Sequence, residues 1–221
     1  DFTHDRVVEV LGTTAQAGLA RNETTPGLRA TRGGSRLETL IRLWLLQTVI
    51  TREAADLALP GLVDRLVNAG FLIQSVGEVA ARIDIRPYAA DDLDLWVASD
   101  LTPGLDGAPN LVSPDFVLGV SSASTSLAQM TIRDQVGTAL DLGTGCGVQS
   151  LHLAAHAQHV VATDVNPRAL RLARFNAQLN EVDIDVRDGS YFEPVVDEAF
   201  DLIVTNPPFV ISPATGERLV Y

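Results

Sequence analysis

The spacing of apolar residues changes twice along this chain, and each change marks a different kind of element. In residues 1–20, Val7, Val8, Leu11 and Ala15 fall near helical spacing and predict a short amphipathic helix. Residues 22–36 carry Thr24-Thr25-Pro26-Gly27 and Gly33-Gly34-Ser35 and read as loop. Ser35 is then placed to cap a helix carrying Leu37, Leu40, Ile41, Trp44 and Leu45. Thr51, with Ala54 and Ala55, opens a second helix. Pro60-Gly61 opens a third through Leu62, Val63, Leu66 and Val67, and Gly70 ends it. From Phe71 the period falls to two. Phe71-Leu72-Ile73 and the run from Val79 to Ile85 predict strands joined near Gly77, and Leu93 to Val97 a further strand. Residues 99–115 are rich in Pro, Gly, Asp and Asn, which sets the expected division at domains 1–98 and 99–221. Beyond it the pattern alternates: strand 138–142, helix 148–157, strand 159–163, helix 167–179, strand 182–186 and strand 201–205. Strands alternating with helices predict an α/β fold with a parallel, doubly wound sheet of Rossmann-like type.

Three helices followed by a β-hairpin resemble a winged helix, a module that reads DNA in some proteins and serves some enzymes as a dimerisation or substrate-recognition arm. The third helix, Gly61 to Ala69, carries only Asp64 and Arg65 as charges. A helix that reads the major groove normally carries several Arg, Lys, Asn or Gln, so tight duplex DNA binding is not expected, and a homodimer is the other use such an arm allows.

Composition adjusts this picture in three ways. Of the 221 residues 46% are hydrophobic but only 5% aromatic, so the core must be built from Leu, Val, Ile and Ala. Sixteen basic residues, all Arg, stand against 28 acidic ones, a formal charge of −12, which disfavours a broad nucleic-acid-binding face. Residues 1–60 hold seven Arg and seven acids, so the excess of acid lies after them; Arg29, Arg32, Arg36 and Arg42 read as a solvated helix start rather than a basic patch. The one cysteine, Cys146, excludes an internal disulfide. No stretch approaches the roughly 20 apolar residues of a membrane span, and Asp1-Phe2-Thr3-His4-Asp5 does not read as a secretory signal, so a cytoplasmic protein is expected.

Candidate chemistry sits at four places, each just after a predicted strand. Asp141-Leu142-Gly143-Thr144-Gly145-Cys146-Gly147 runs from a strand through glycines into a helix, letting a ligand approach the main chain. Its third glycine comes one residue too early for a dinucleotide loop, and Val148 stands where that glycine would be. An Asp141 carboxylate would repel a pyrophosphate but attract an amino-acid ammonium. Asp164 and Val165 follow the next strand, where an acid accepts bonds from both ribose hydroxyls, and Asn166 caps a helix that starts at Pro167. Asp188-Gly189 follows the third strand. After the fourth come Asn206-Pro207-Pro208-Phe209. Two prolines fix the backbone and leave carbonyls without competing N–H groups, and Asn206 adds a side-chain carbonyl. Together they suit a planar nitrogen whose two N–H groups are held by Asn206 and Pro207 while Phe209 stacks on its flat face.

With these four in order, residues 137–213 resemble class I S-adenosylmethionine-dependent methyltransferases of the Asn-Pro-Pro-Tyr/Phe group, which includes release-factor glutamine, adenine-N6 and guanine-N2 ribosomal RNA methyltransferases. The resemblance implies S-adenosylmethionine as cofactor, bound by Asp141, Gly143, Thr144, Gly145, Gly147, Asp164, Val165, Asp188, Gly189 and Asn206, with Asn206, Pro207, Pro208 and Phe209 holding the target nitrogen. It also gives Gly119 to Thr125 the place of a cofactor-covering segment. The family fold has seven strands and this chain ends just past the fourth, so it reads as part of a longer enzyme. Three functions compete: methylation of a protein amide, as on a release factor or ribosomal protein; methylation of an RNA or DNA base; and a non-enzymatic binding module, which the intact motif series argues against.

Other residues read as structural. His152 and His156, at helical spacing, and His159 lack the Glu and further ligands of a metal site and read as solvated or helix-end residues. Arg168, Arg171 and Arg174 read as a solvated helix face, Trp44 and Trp96 as packing, and Cys146 as a small side chain in the loop with no base to activate it.

Overall fold

In a computed structural model, which describes residues 2–90 and 93–207, the chain divides into two compact units, Asp1–Leu111 and Val112–Tyr221.

The first unit opens with α1 (His4–Leu19), broken at Gly12, and α2 (Thr25–Ala30), a short helix inside the stretch expected to be loop. Pro26 sits in its first turn, where a missing N–H costs nothing, so a residue that reads as a breaker starts a helix instead. Ser35 caps α3 (Arg36–Leu40) as expected, in a full capping box with Glu38, and the helix continues as a π-helical turn, Ile41–Leu45. Strand β1 (Ile50–Thr51) precedes α4 (Arg52–Ala58), which Thr51 caps by accepting from the Ala54 N–H. Then come α5 (Val63–Asn68), β2 (Leu72–Ser75), β3 (Glu78–Ala81), β4 (Asp84–Ala90) and β5 (Leu93–Ser99). The run from Val79 to Ile85 is therefore two strands. The chain leaves one antiparallel sheet, ordered β1-β3-β2, at Arg82-Ile83 and enters a separate β4-β5 hairpin. Asp84 is buried where the hairpin starts and is matched by Arg86, whose guanidinium bonds both its oxygens.

The second unit holds α6 (Ser122–Met130), β6 (Val136–Leu142), α7 (Val148–Leu153), β7 (Ala157–Asp164), α8 (Pro167–Leu179), β8 (Asp185–Asp188) and β9 (Leu202–Thr205). The four strands form a parallel sheet ordered β8-β7-β6-β9. Helix α7 stops at Leu153, four residues before the predicted end, because β7 already starts at Ala157. Strand β8 lies three residues beyond its predicted start, since Val182 still belongs to the turn closing α8 and donates to the Ala177 carbonyl. Alternation within β6 and β7 sorts the core. Ala139 and Val160 pack with Leu153, Val204 and Leu127, and Ala162 packs with Leu170 and Ala173. These residues put α6, α7 and α8 on one face. Leu140 and Val161 point to the other, against Val195 and Phe200.

This strand order positions the site. From β6 the chain winds outward through β7 and β8, then returns to place β9 on the other side of β6. The strand order therefore switches between β6 and β9, and in open α/β sheets the crevice beyond the strands' carboxyl ends at such a switch is where ligands bind.

Candidate functional site

The sheet register levels the four strand ends. Leu142 lies opposite Thr205 on one side and Thr163 on the other, and Asp164 lies opposite Asp188. The loops that follow them enclose a cavity of about 730 Å3, within the range of small-molecule sites. Its lining includes Asp141, Gly143, Thr144, Gly145, Asp164, Val165, Gly189, Asn206 and Pro207, so nine of the residues singled out in the sequence share one wall. Gly147 and Asp188 do not line it: Gly147 packs against Ala173 of α8, and the Asp188 side chain is exposed. Pro208 and Phe209 lie outside the described residues.

The glycine loop is held by a small set of bonds. The N–H groups of Gly143 and Thr144 both donate to the Thr163 carbonyl at 2.9 Å, pinning the loop to the end of β7. Gly143 and Gly145 have φ of 75° and 57°, in the left-handed region, and a Cβ at either would meet nothing within 4 Å. Their open sides leave the main chain bare to a ligand.

Two carboxylates flank this loop. Asp141 is fully buried, and its Oδ2 accepts from the Thr144 hydroxyl at 2.6 Å, the Ser150 hydroxyl at 2.6 Å and the Ser150 N–H at 3.0 Å. Burial pushes its carboxyl above the ordinary carboxylate range, against the pull of those bonds. Asp164 accepts from the Gly145 N–H through one oxygen and the Asn166 N–H through the other, both at 2.9 Å. It thus ties the loop to the capped start of α8, where Asn166 accepts from the Arg168 N–H as expected. A carboxylate offers about four lone-pair sites, so each oxygen keeps one for a ligand hydroxyl.

Further contributors lie outside the four motifs, some of them in the segment Gly119 to Thr125 expected to cover the cofactor. Thr205 donates from its hydroxyl to the Leu142 carbonyl at 2.8 Å, fixing the end of β9 to the glycine loop just before Asn206. Residues 114–119 and the start of α6 close the cavity with Pro114, Phe116, Val117, Leu118, Ser121 and Ser124, and Asn166 donates to the Asp115 carbonyl at 2.9 Å. Tyr191, exposed and in the left-handed region at φ 48°, adds an aromatic ring beside Gly189. For Thr205, Pro114, Phe116, Val117, Leu118 and Tyr191, only placement in the fold reveals these roles.

The histidine expectation is corrected. His152, on α7, and His156, in the turn after it, are both buried, while His159 is exposed. Helix α7 is packed on the sheet and ends against β7, so few of its positions face solvent. Among the described residues no group of His, Cys, Asp and Glu has a metal-binding arrangement, and no helix is long and apolar enough to cross a membrane.

Residues 118–220 match the model of a methyltransferase small domain, and residues 1–82 match a domain of unknown function. With the parallel sheet, the glycine loop and the Asn-Pro exit from β9, the C-terminal unit belongs to the class I S-adenosylmethionine-dependent methyltransferases. A release factor glutamine methyltransferase of Geobacter sulfurreducens is 30% identical over 191 residues, 84% of this chain and 63% of that protein. A putative protein N5-glutamine methyltransferase of Methanocaldococcus jannaschii is 40% identical over 72 residues, 32% of this chain and 36% of that protein. Among solved structures, a T. thermophilus 16S rRNA N2 G1207 methyltransferase aligns with TM-score 0.47 and 18% identity, over 83% of this chain and 55% of that one. The chain thus spans less than two thirds of each of these relatives.

Proposed function

We propose that this chain binds S-adenosylmethionine in the cavity of the second unit and directs its methyl group to a planar nitrogen, the side-chain amide of a glutamine on a protein such as a release factor or ribosomal protein. The observation that carries the reading is the Asn206-Pro207 exit from β9 lining the same cavity as Asp141, Gly143 to Gly145 and Asp164.

The residues present fit the cofactor. Its ribose offers two hydroxyls to the open lone pairs of Asp164, its base an apolar bed of Val165, Phe116 and Ala169, and its ammonium the carboxylate of Asp141. Asp188, at the end of β8, stands outside this lining and takes no part in the fit, and Gly147 acts by letting α7 start close against α8.

When bound, the cofactor supplies a methyl group on a positively charged sulfur, a good leaving group for in-line displacement. The chain's own part is alignment, which is worth roughly 7–11 kcal/mol when two reactants are held in attack geometry. Asn206 Oδ1 and the Pro207 carbonyl accept the two N–H groups of the amide. They orient its nitrogen toward the methyl and strengthen as positive charge grows on that nitrogen. Pro207 cannot contribute an N–H that would compete for those acceptors. The acidic balance of the chain and the glutamine-directed relatives support a protein acceptor over a nucleic acid.

The deciding experiment incubates the protein with methyl-labelled cofactor and, separately, release factors, ribosomal proteins, ribosomal RNA and tRNA. Label on a glutamine of a protein is the expected result. Label on an RNA base moves the acceptor to nucleic acid, and no label on any of them overturns the enzymatic reading.

A further inference from the structure

Gln149 is a buried polar side chain in the cavity that neither the sequence motifs nor the proposed chemistry uses. Gln149 lies in the first turn of α7, is 6% exposed, and lines the cavity. Its amide nitrogen donates to the Ser124 carbonyl in the first turn of α6, at 2.8 Å. That bond fixes which way the amide faces, because a carbonyl partner requires the NH2 end. The other end, the Oε1 carbonyl, takes no hydrogen bond from any described residue. Gln149 lines the cavity, so this unused acceptor is available to a donor on a ligand there.

The surroundings define that donor. Ser150, the next residue, gives both its N–H and hydroxyl to Asp141, and all three bonds to that carboxylate go to Oδ2. Asp141 Oδ1 thereby takes none of these bonds, and Asp141 lines the same cavity as Gln149. Two unused acceptors in one cavity, one of them a carboxylate, suit a group with several N–H bonds and a positive charge. Ser124 itself is held by a reciprocal bond pair with Ser121, so the α6 turn that Gln149 grips is rigid.

We infer that Gln149 is a binding residue for the ammonium of the cofactor's amino-acid end, and that by gripping Ser124 it fastens α6 over that end. This rests on the cofactor site proposed above and extends it to a residue outside the motif series. A ligand with the adenosine part but no amino acid, such as methylthioadenosine, then has nothing to gain from Gln149.

The test compares S-adenosylhomocysteine with methylthioadenosine by calorimetry on the full chain. Gln149→Met keeps the length and volume of the side chain and removes both polar ends; Gln149→Ala removes the bulk as well. The expected result is a loss of about 10- to 100-fold in affinity for S-adenosylhomocysteine in both variants, with methylthioadenosine unchanged, as suits a lost bond to a charged donor. Equal weakening of both ligands, or a Gln149→Met variant that no longer folds, makes the residue a structural brace and overturns the inference, as does unchanged binding of both. If the unaltered protein binds neither ligand, the cofactor site itself is wrong and the inference falls with it.

Discussion

Asn206 and Asp164 separate two functions that share a cavity. Asn206 makes no bond that holds the glycine loop, so Asn206→Ala should leave cofactor affinity near normal while turnover falls on the order of 10²–10³, the usual effect of removing one preorganised polar partner. Equal turnover in that variant would mean the target nitrogen is held elsewhere. Asp164→Ala should instead lose cofactor binding. The loss has two sources: bonds to the ligand, and the release of the Gly145 and Asn166 N–H groups that the carboxylate now holds. Asp141 adds a pH dependence. Its folded-state carboxyl titrates above the ordinary range because it is buried. The native state therefore holds that proton more tightly than the unfolded chain, and the stability this gives below the ordinary carboxylate range is lost as pH rises through the raised value. A cationic ligand beside it favours the ionised form. Cofactor binding is expected to release a proton and to weaken as pH falls into the acid range. Calorimetry in two buffers of different ionisation heat measures this. Asp141→Asn should abolish the difference between buffers, and identical heats for the unaltered protein throughout the acid range would remove Asp141 from the site.

At the scale of elements, Gly147 decides how α7 meets α8. Its φ is 89°, and an added Cβ would stand 3.2 Å from the Ala173 Cα and 3.3 Å from its Cβ. Both contacts are tight and both partners are in packed helix, so neither yields freely. Gly147→Ala should therefore destabilise the protein by about 1–3 kcal/mol, from left-handed strain and crowding together. Urea unfolding followed by circular dichroism checks it; an unchanged midpoint would mean that the loop relaxes without cost. Elements whose ends are set by local chemistry were legible in the sequence: Ser35, Thr51 and Asn166 are side-chain caps, and α8 spans the predicted residues 167–179. Elements that end because a neighbour begins were not. Nothing in Ala154 to His156 breaks a helix by propensity, yet α7 stops before them because the chain must return to pair Val136 with Ala157.

For the whole molecule the charge of −12 and the poverty of base-reading side chains on α5 bear on nucleic acid. Asp64 of α5 is engaged by Arg52, which also bonds Asp56, so that arginine is already committed to carboxylates. Duplex DNA is expected to bind the full chain no better than the roughly 10⁻⁴–10⁻⁶ M of non-specific association at physiological salt. Fluorescence anisotropy with a labelled duplex measures it, and submicromolar, sequence-selective binding would give the first unit a reading role after all.

What the sequence determined by itself was the order of chemistry along the chain: a glycine loop, an acid, a second acid and Asn206-Pro207, each at the end of a strand. Those signals are local, because a tight turn, a cap or a proline acts on its own neighbours and shows in a few consecutive residues. The tertiary structure decided which of them meet. Reversal of strand order at β6 brings Thr205, just before Asn206, level with Leu142 across 63 residues of chain, while Asp188, equally clear as a turn, stays outside the cavity wall. It also decided the burial of His152 and His156 and the grip of Gln149 on Ser124. Burial and long-range bonding depend on what packs against a residue, and no pattern within a short stretch of sequence encodes that.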